Sequence, residues 1–286
     1  MKSAPFDYVR ARSVAEVFDL LDEADSDARI LAGGQSLLAT LALRLSEPSV
    51  LIDIGGLSEL RHIEEKDGSV SIGALTRHCE LETSPLIAAR LPLIAQAMPH
   101  VAHAAIRNRG TIGGSLSLAD PAAELPACMV ALDATIVLAS RAGERRLRAD
   151  AFFQGLYLTD IKPGELLVRV EIAPHHPKWR FHFAEFSRRR GDFAMAGIAA
   201  GCRGTGRQPE EFRLVFLGCG DRPVRARVAE TAAARAPEVP GKRRYSSLRA
   251  ALEEDLDPQS DPHASAQMRL HLAAVLADRA LGILVD

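Results

Sequence analysis

The chain has 286 residues, and its 35 basic side chains nearly balance 37 acidic ones, so the net charge of −2 excludes the strongly basic surface typical of nucleic-acid-binding proteins. Apolar residues make up 47% of the chain and charged residues 25%, which excludes the composition of a disordered protein. No apolar run approaches the roughly 18 residues of a membrane span, and the N-terminus lacks the apolar region of a secretory signal, so we expect a cytoplasmic protein.

Helix and strand patterns alternate along the first half of the chain. Ser13 and Glu16 form an S-x-x-E capping box beside an apolar stripe, which predicts that a helix over residues 13–24 opens the fold. A short apolar run at residues 30–32 meets a glycine turn, after which leucines repeat at helical spacing over residues 37–45. Further strands are predicted at residues 50–54, 70–74, 134–139 and 166–172, and further helices at residues 86–98 and 124–132.

A proline-containing segment divides the chain. Residues 173–178 combine two prolines with polar side chains between strand-like runs, so we place a domain boundary near residue 175. Three apolar runs beyond this segment predict an antiparallel meander, and alanine- and leucine-rich helices follow it. The predicted strands cover residues 181–187, 197–202 and 212–218, and the predicted helices cover residues 224–234, 246–254 and 264–281.

The cysteines and histidines form no metal-binding motif. The cysteines are scattered without a C-x-x-C pair, so we expect buried, reduced thiols at Cys79, Cys128, Cys202 and Cys219. Two histidine pairs lack the Cys, Asp or Glu residues that would complete a ligand set. These pairs are His100 with His103 and His175 with His176. No G-x-S-x-G elbow occurs, so no hydrolase triad is indicated.

Two glycine pairs are the strongest candidates for a ligand-binding backbone. They lie in residues 32–36 (AGGQS) and 109–115 (RGTIGGS). Because glycine lets the backbone approach a ligand closely, N–H groups of both turns together would fit one diphosphate. Neither turn matches G-x-G-x-x-G or G-x-x-x-x-G-K-[ST], which argues against a Rossmann site and a Walker site. A tight turn without a ligand is the alternative for either pair.

These turns, with several other motifs, resemble the FAD-binding subunit of the molybdenum hydroxylases, of the aerobic carbon monoxide dehydrogenase and xanthine dehydrogenase type. The resemblance covers essentially the whole chain in order. Its motifs are AGGQSL at residues 32–37, RL at 44–45, LIDI at 51–54, IGALT at 72–76, IRNRGTIGGSL at 106–116, ADPAAELP at 119–126 and RRRGDFA at 188–194.

The resemblance implies an α+β fold in two domains. The first is a two-part FAD-binding domain of the vanillyl-alcohol-oxidase (PCMH) type over residues 1–175, with subdomains of about residues 1–56 and 57–175. The second is a smaller domain over residues 178–286 with a three-stranded antiparallel sheet and a helix bundle. This division agrees with the boundary placed near residue 175.

The resemblance also implies which residues contact FAD. Residues 29–36 and residues 111–115 are expected to enclose the diphosphate, and Glu124 is expected to accept a hydrogen bond from an FAD hydroxyl. Asp120 is a second acidic candidate, with initiation of a turn before Pro121 as the alternative. Leu166 is a candidate ring contact, with a core position as the alternative. The full set of expected contacts is Arg29, Ile30, Leu31, Ala32, Gly33, Gly34, Gln35, Ser36, Val101, Thr111, Ile112, Gly113, Gly114, Ser115, Asp120, Glu124, Leu166 and Phe193.

Some positions depart from the family pattern. Phe193 stands where the family often has Tyr, so we expect its ring to stack on the flavin without a hydroxyl group. Glu185 stands where some relatives have Lys, so a cationic contribution from that position is missing. Leu118 and Ala39 replace a common His and a common Pro outside the glycine pairs, so we expect FAD binding to remain.

The function implied by the resemblance is electron transfer within a larger oxidoreductase. A molybdenum–pterin cofactor on a large partner subunit would hydroxylate a small substrate. [2Fe–2S] clusters on a small partner subunit would pass electrons to FAD, bound non-covalently to this chain. Quinone, oxygen and NAD remain open as the external acceptor, and a dimer of heterotrimers is the expected assembly. The chain itself is expected to supply binding, orientation and tuning of FAD, with no catalytic acid or base and no metal site.

Two alternatives stand beside this hypothesis. One is a self-contained flavin oxidase or reductase of the same superfamily, against which the C-terminal region resembles the molybdenum-hydroxylase domain. The other is a docking subunit that has lost flavin, which the two intact glycine turns oppose.

Overall fold

A parallel sheet forms the N-terminal part of the chain in the computed structural model, which describes residues 2–24, 27–205, 208–235 and 242–285. Its strands are β1 (Asp7–Arg10), β2 (Ala28–Leu31) and β3 (Val50–Asp53), in the order β1-β3-β2. The prediction that a helix opens the fold was wrong, since β1 precedes it. Strand β1 has four mostly exposed residues, so it lacks the apolar alternation that marks a strand in sequence.

Two helices connect these three strands. Helix α1 (Val14–Glu23) begins at the predicted cap, where the N–H of Glu16 donates to Ser13 Oγ at 3.1 Å. The Glu16 carboxylate accepts the N–H of Arg12 at 2.7 Å, one residue earlier than a capping box requires. Helix α2 (Leu37–Ala42) is shorter than predicted, because Arg44 takes a φ of +55° and the chain leaves the helix before Leu45.

A five-stranded antiparallel sheet forms the centre of the chain. Strands β4 (Ile63–Lys66), β5 (Ser69–Gly73), β6 (Thr135–Ser140), β7 (Gly143–Arg148) and β10 (Leu166–Ile172) lie in the order β4-β5-β10-β6-β7. Strand β7 was not predicted, because it carries arginines instead of an apolar face. Arg145 on this strand pairs with Asp160 and Glu165, both at 2.6 Å.

Short helices cover one face of the central sheet. They are α3 (His78–Thr83), α4 (Pro85–Arg90), α5 (Pro92–Ala97), α6 (Ala104–Arg107), α7 (Ile112–Leu118), α8 (Glu124–Ala131) and α9 (Ala149–Phe152), followed by a hairpin of β8 (Phe153–Gly155) and β9 (Leu158–Thr159). The single helix predicted over residues 86–98 is divided at Leu91, which precedes Pro92 and has non-helical angles (φ −131°, ψ 59°). Proline disfavours the helical conformation of the residue before it, which explains the break.

The C-terminal part contains the predicted antiparallel meander. Its long strands are β11 (Trp179–Phe186), β12 (Ala196–Thr205) and β13 (Gln208–Leu217), and the short strand β14 (Val224–Arg225) extends the sheet at its edge. Helices α10 (Arg227–Arg235), α11 (Lys242–Asp255) and α12 (Ala266–Val285) follow. The predicted helix at residues 224–234 therefore begins three residues late, because Val224 and Arg225 pair with β13 first. No helix in these described ranges combines the length and apolar character needed to cross a bilayer.

The C-terminal sheet has two apolar faces. Phe183, Val215 and Leu217 join the core formed by the helices on the central sheet, whereas Ile198 and Phe216 join the core with α10 to α12. Alternation of side chains along each strand produces this division.

The edge strand β11 is also bound by a side chain from helix α5. The amide of Gln96 accepts the N–H of Phe183 at 3.0 Å and donates to the carbonyl of Phe181 at 3.3 Å. The C-terminal sheet thus contacts the helical layer through apolar packing and through hydrogen bonds.

All four cysteines are free thiols in the structure. Cys128, Cys202 and Cys219 are buried as expected, but Cys79 is partly exposed, so the prediction of burial was wrong for this residue. Cys79 is the second residue of α3, beside the buried His78, and its side chain does not join the apolar core.

Candidate functional site

The first glycine turn packs directly against the loop before the second one. A Cβ atom built on Gly33 would lie 2.2 Å from the carbonyl oxygen of Arg109 and 3.0 Å from the Cα of Gly110. Gly34 has a φ of +73°, which other residues rarely adopt. The two glycines are therefore required for different reasons, Gly33 for close approach of two loops and Gly34 for its backbone conformation.

The first turn presents a row of unused donors. Within the described ranges, the backbone N–H groups of residues 33–36 donate to no protein acceptor, and the Gln35 side chain donates to the carbonyl of Gly33 at 3.1 Å. Successive N–H groups of this kind form a concave site for anionic oxygens. The turn fits a phosphate group of a ligand.

The second glycine turn uses its N–H groups within the protein. The N–H groups of Ile112 and Gly113 donate to the carbonyls of Thr76 and Ala74, at 3.0 and 2.8 Å. The N–H of Gly114 donates to Thr111 Oγ1 at 3.1 Å. A Cβ atom on Gly113 would lie 2.6 Å from the Cβ of Ala74, so this glycine allows α7 to approach the end of β5.

One polar group of the second turn is still available. The N–H of Ser115 donates to the carbonyl of Thr111 at 3.0 Å, but its partly buried hydroxyl has no partner in the part of the chain that the structure describes. This turn would therefore bind a phosphate oxygen through the hydroxyl of Ser115 rather than through its backbone.

The two predicted acidic residues lie on one loop and differ in their surroundings. Asp120 accepts the N–H of Ala122 at 2.8 Å, which is the turn-forming bond weighed as its alternative role, and the hydroxyl of Tyr157 at 3.2 Å. Burial raises its pKa. Glu124 begins helix α8 and is only 9% exposed.

The surroundings of Glu124 favour its neutral form. Burial, and then the negative charge of Glu185, raise its pKa to about 8. A neutral carboxyl group donates one hydrogen bond as well as accepting others. The expectation that Glu124 accepts a hydrogen bond from an FAD hydroxyl is compatible with this state, and Glu124 can donate one in addition.

The side chain of Glu185 is buried beside His100. Its Oε1 lies 3.4 Å from Nδ1 of His100, and its side chain is 2% exposed. Its Oε2 is buried and has no hydrogen-bond partner among the described residues. A buried carboxylate oxygen without a partner is costly, so this atom is well placed to accept a hydrogen bond from a ligand.

Phe193 lies in a loop that lines a surface pocket. Its ring is 72% exposed, so it is not a core residue. A pocket of about 360 Å³ is lined by Phe193, Met195 and His263, and one of about 340 Å³ is lined by His100 and Glu185 among others.

The loop that carries Phe193 packs against the loop after α5. Gly191 has a φ of +87°, and a Cβ atom on it would lie 2.7 Å from the ring of His103. The segment containing Val101 and the segment containing Phe193 are therefore neighbours.

Other expected contacts are buried in the protein core. Leu166 is 4% exposed and packs with Ile52 and Val137, which corresponds to its alternative role. Val101 and Ile112 belong to the core beneath the helices. Arg29, Ile30 and Leu31 form most of strand β2 and lead into the first glycine turn.

Two residues near the site were not predicted from the sequence. His78 is buried beside Gly110, and burial lowers its pKa to about 4. Neither of its ring nitrogens has a hydrogen-bond partner in the described part of the chain. Nothing in the sequence around His78 indicates this. Arg269 is 7% exposed on α12, and its spacing from Ala273, Leu276 and Ala280 places it on the buried stripe of that helix.

The histidine pairs are not assembled into a metal site. The ring of His175 packs edge-on against Phe181, and Nδ1 of His176 accepts the N–H of Lys178 at 3.2 Å. The described ranges contain no group of three His, Cys, Asp or Glu residues arranged to hold a metal ion.

The residues present fit FAD. Unused N–H groups at residues 33–36 suit a diphosphate, and the partnerless oxygen of Glu185 with the neutral carboxyl of Glu124 suits hydroxyl or ring N–H groups. The exposed ring of Phe193 offers an aromatic surface to an isoalloxazine face.

Known proteins match the chain over both of its parts. Residues 4–175 match the family described as the FAD binding domain in molybdopterin dehydrogenase, and residues 181–284 match the CO dehydrogenase flavoprotein C-terminal domain. The α subunit of the 6-hydroxypseudooxynicotine dehydrogenase complex of Paenarthrobacter nicotinovorans is 40% identical over 98% of this chain and 95% of its own length. The carbon monoxide dehydrogenase medium chain of Hydrogenophaga pseudoflava is 37% identical over 77% of each chain.

A solved structure is similar over the whole chain. The crystal structure of quinoline 2-oxidoreductase from Pseudomonas putida 86 matches with a TM-score of 0.92 and 39% identity, over 100% of this chain and 98% of that one. Similarity at this level extends over the whole fold.

Proposed function

The chain belongs to the FAD-binding subunits of the molybdopterin dehydrogenases, and on that premise we propose that it binds FAD between the first glycine turn and the loop of Phe193, and passes electrons from [2Fe–2S] clusters of a partner to an external acceptor. The observation that carries the proposal is the row of unused N–H groups at residues 33–36. FAD, when bound, supplies the ability to take up electrons and release them as a pair.

The residues of this chain bind and orient the cofactor. The first glycine turn holds the diphosphate by backbone donors, and the hydroxyl of Ser115 supports it from the second turn. Glu124 forms a hydrogen bond with a hydroxyl of FAD, and Phe193 covers one face of the ring. The proposed contacts are the set given above apart from Leu166, Val101 and Ile112, which support the site from the core.

We assign residues 1–175 to the FAD-binding domain and residues 178–286 to the C-terminal domain. The parallel sheet with its two helices supports a first subdomain of about residues 1–56, and the central sheet with its helices supports a second of about 57–175. The segment between β10 and β11 supports the boundary.

The assembly in this proposal is a dimer of heterotrimers in the cytoplasm. A large subunit carries the molybdenum–pterin cofactor, and a small subunit carries the [2Fe–2S] clusters. Support comes from the relatives, one of which is a medium chain and another a subunit of a dehydrogenase complex. The near-neutral charge of this chain and its free thiols are compatible with a cytoplasmic location.

The test is reconstitution of the purified chain with FAD. We expect one FAD per chain, released into the supernatant by acid precipitation because it is bound non-covalently. We also expect no reduction of this FAD by small organic substrates when partner subunits are absent. A colourless protein after reconstitution would refute FAD binding, and rapid reduction by a simple substrate would show a self-contained oxidase or reductase instead.

A further inference from the structure

Arg269 projects from the C-terminal helix to the point where the C-terminal sheet meets the candidate FAD site. Its Nη1 donates to the carbonyl of Met195 at 2.6 Å and to the carbonyl of Gly218 at 2.9 Å. Its Nη2 donates to Asp261 Oδ2 at 2.6 Å. One buried guanidinium thus joins the start of β12, the end of β13 and the segment before α12.

One carbonyl that Arg269 holds belongs to the Phe193 segment, and the other belongs to a residue that binds the loop of Asp120 and Glu124. Met195 is two residues after Phe193. Gly218 donates its own N–H to the carbonyl of Pro121 at 2.8 Å, in the loop between Asp120 and Glu124. A Cβ atom on Gly218 would lie 3.0 Å from the carbonyl oxygens of Ala194 and Met195, so the strands meet closely here.

A second arginine, Arg188, holds the Phe193 loop at its N-terminal end. Nη2 of Arg188 donates to the carbonyls of Pro262 and His263, at 3.2 and 2.9 Å. The Asp261 carboxylate orders this segment by accepting the N–H groups of His263 and Ala264, at 2.8 and 2.9 Å. The turn before α12 therefore fixes the Phe193 loop on both sides, through Arg188 before the aromatic ring and through Arg269 after it.

Burial of the Arg269 guanidinium costs free energy of folding. Removing an ion from water carries a desolvation penalty, and within the described ranges the Nε of Arg269 has no hydrogen-bond partner to offset it. An apolar residue at this point of the buried stripe would fill the space without that penalty, but it would leave the carbonyls of Met195 and Gly218 without their donor.

We propose that Arg269 is a positioning residue for FAD, which holds the Phe193 segment in register with the loop of Asp120 and Glu124. The inference rests on the proposed function, in which both segments contact FAD. Arg269 acts through backbone carbonyls and does not itself touch the cofactor.

The experiment compares Arg269→Gln with Arg279→Gln in the full chain reconstituted with FAD. Arg279 lies on the same helix and is exposed, so it is a matched control for the loss of one arginine. The measurements are the melting temperature with and without FAD, the dissociation rate of FAD, and the midpoint potential of bound FAD. We expect Arg269→Gln to reduce the FAD-dependent rise in melting temperature, to release FAD several-fold faster and to shift the potential, while Arg279→Gln matches the wild type.

A double-mutant cycle with Phe193→Ala provides the decisive comparison. If both residues act through one segment, Phe193→Ala adds little to the faster FAD release of Arg269→Gln, because the ring is already displaced. Fully additive effects on the release rate would overturn the proposal. So would an equal fall of both melting temperatures with an unchanged potential, since that pattern indicates a structural role alone.

Two further variants keep the test informative if Arg269→Gln does not fold. Arg269→Lys retains a cation for Asp261 but not the planar donor geometry of arginine. Asp261→Asn removes the negative charge that holds the Arg269 guanidinium, and Asp261 is not one of the proposed FAD contacts. Both are expected to give intermediate release rates and potentials. Wild-type rates in both would overturn the proposal, whereas a wild-type chain that binds no FAD would overturn the proposed function instead.

Discussion

Gly33 lies against Arg109 so closely that a β-carbon on the glycine would be 2.2 Å from the carbonyl oxygen of the arginine. Two loops far apart in sequence are therefore joined by backbone contact. Gly33 is not among the glycines with positive φ, so space alone excludes a side chain here.

We predict that Gly33→Ala destabilises the chain even without FAD. The new methyl group must displace the backbone of Arg109, because no flexible side chain is available to move, and overpacking of this kind costs about 1–3 kcal/mol. Chemical denaturation of the FAD-free chain measures this. Gly56→Ala is the control, since its Cβ would meet only the mobile end of the Arg10 side chain, at 3.1 Å. Equal stability of the two variants would contradict the prediction.

We predict that substitution of Ser115 affects ligand binding, whereas substitution of Thr111 affects the cap of helix α7. Ser115→Ala removes a hydroxyl without a protein partner, so we expect unchanged stability without FAD and roughly ten-fold weaker FAD binding, as for loss of one hydrogen bond to a charged group. Thr111→Val removes the cap on the N–H of Gly114 and is expected to cost about 1 kcal/mol without FAD. Fluorescence titration and urea denaturation measure the two effects, and weaker stability in Ser115→Ala would argue against this division.

The stability of the FAD-free chain is predicted to depend on pH through Glu124. Its pKa is raised to about 8 in the folded chain and lies near 4.3 in an unfolded one. Between these pH values the folded state retains a proton that the unfolded state has lost, so the free energy of unfolding falls as pH rises. Above pH 8 both states are ionised and the penalty stays constant.

Glu124→Gln tests this pH dependence. The variant is expected to lose less stability than the wild type between pH 5 and pH 8, with a difference in slope of as much as about 1.4 kcal/mol per pH unit. Urea denaturation across this range gives both slopes. Glu254→Gln, at an exposed position on α11, is expected to follow the wild type. Parallel curves for wild type and Glu124→Gln would show that the carboxyl is not neutral at pH 7.

Phe193→Ala is predicted to affect FAD binding but not folding. Because the ring is 72% exposed, its removal leaves no cavity, and the melting temperature without FAD is expected to stay the same. Loss of stacking on the isoalloxazine corresponds to about 1 kcal/mol, or several-fold weaker binding. Phe193→Tyr is expected to retain affinity and shift the midpoint potential. A fall in the melting temperature of the FAD-free alanine variant would identify a core residue.

Local patterns in the sequence predicted the elements that carry apolar periodicity. The strand at residues 166–172 and the helix after Ser13 follow from alternation and capping, which act between near neighbours. Strands β1 and β7 were not predicted because their residues are mostly polar and exposed. Pairing with the neighbouring strands β3 and β6 holds them in extended conformation.

The candidate site was predictable only in part. The glycine turns are visible as motifs, but the bonds that occupy the N–H groups of the second turn come from Ala74 and Thr76, on a strand end that the motif does not include. The pairing of Glu185 with His100 and the reach of Arg269 to Gly218 depend on how two sheets meet. Such contacts are a property of tertiary packing and leave no local pattern.

The apolar cluster shared by the central and C-terminal sheets limits how this chain can be divided. Phe183, Val215 and Leu217 are packed with the helices of the first domain, and Gln96 binds the edge of β11. A chimera that exchanged the C-terminal domain with that of a relative would need matching substitutions on α5 and α8. We therefore expect a single calorimetric transition for the intact chain. The boundary near residue 175 then divides two sequence domains that unfold together, and it does not act as a hinge.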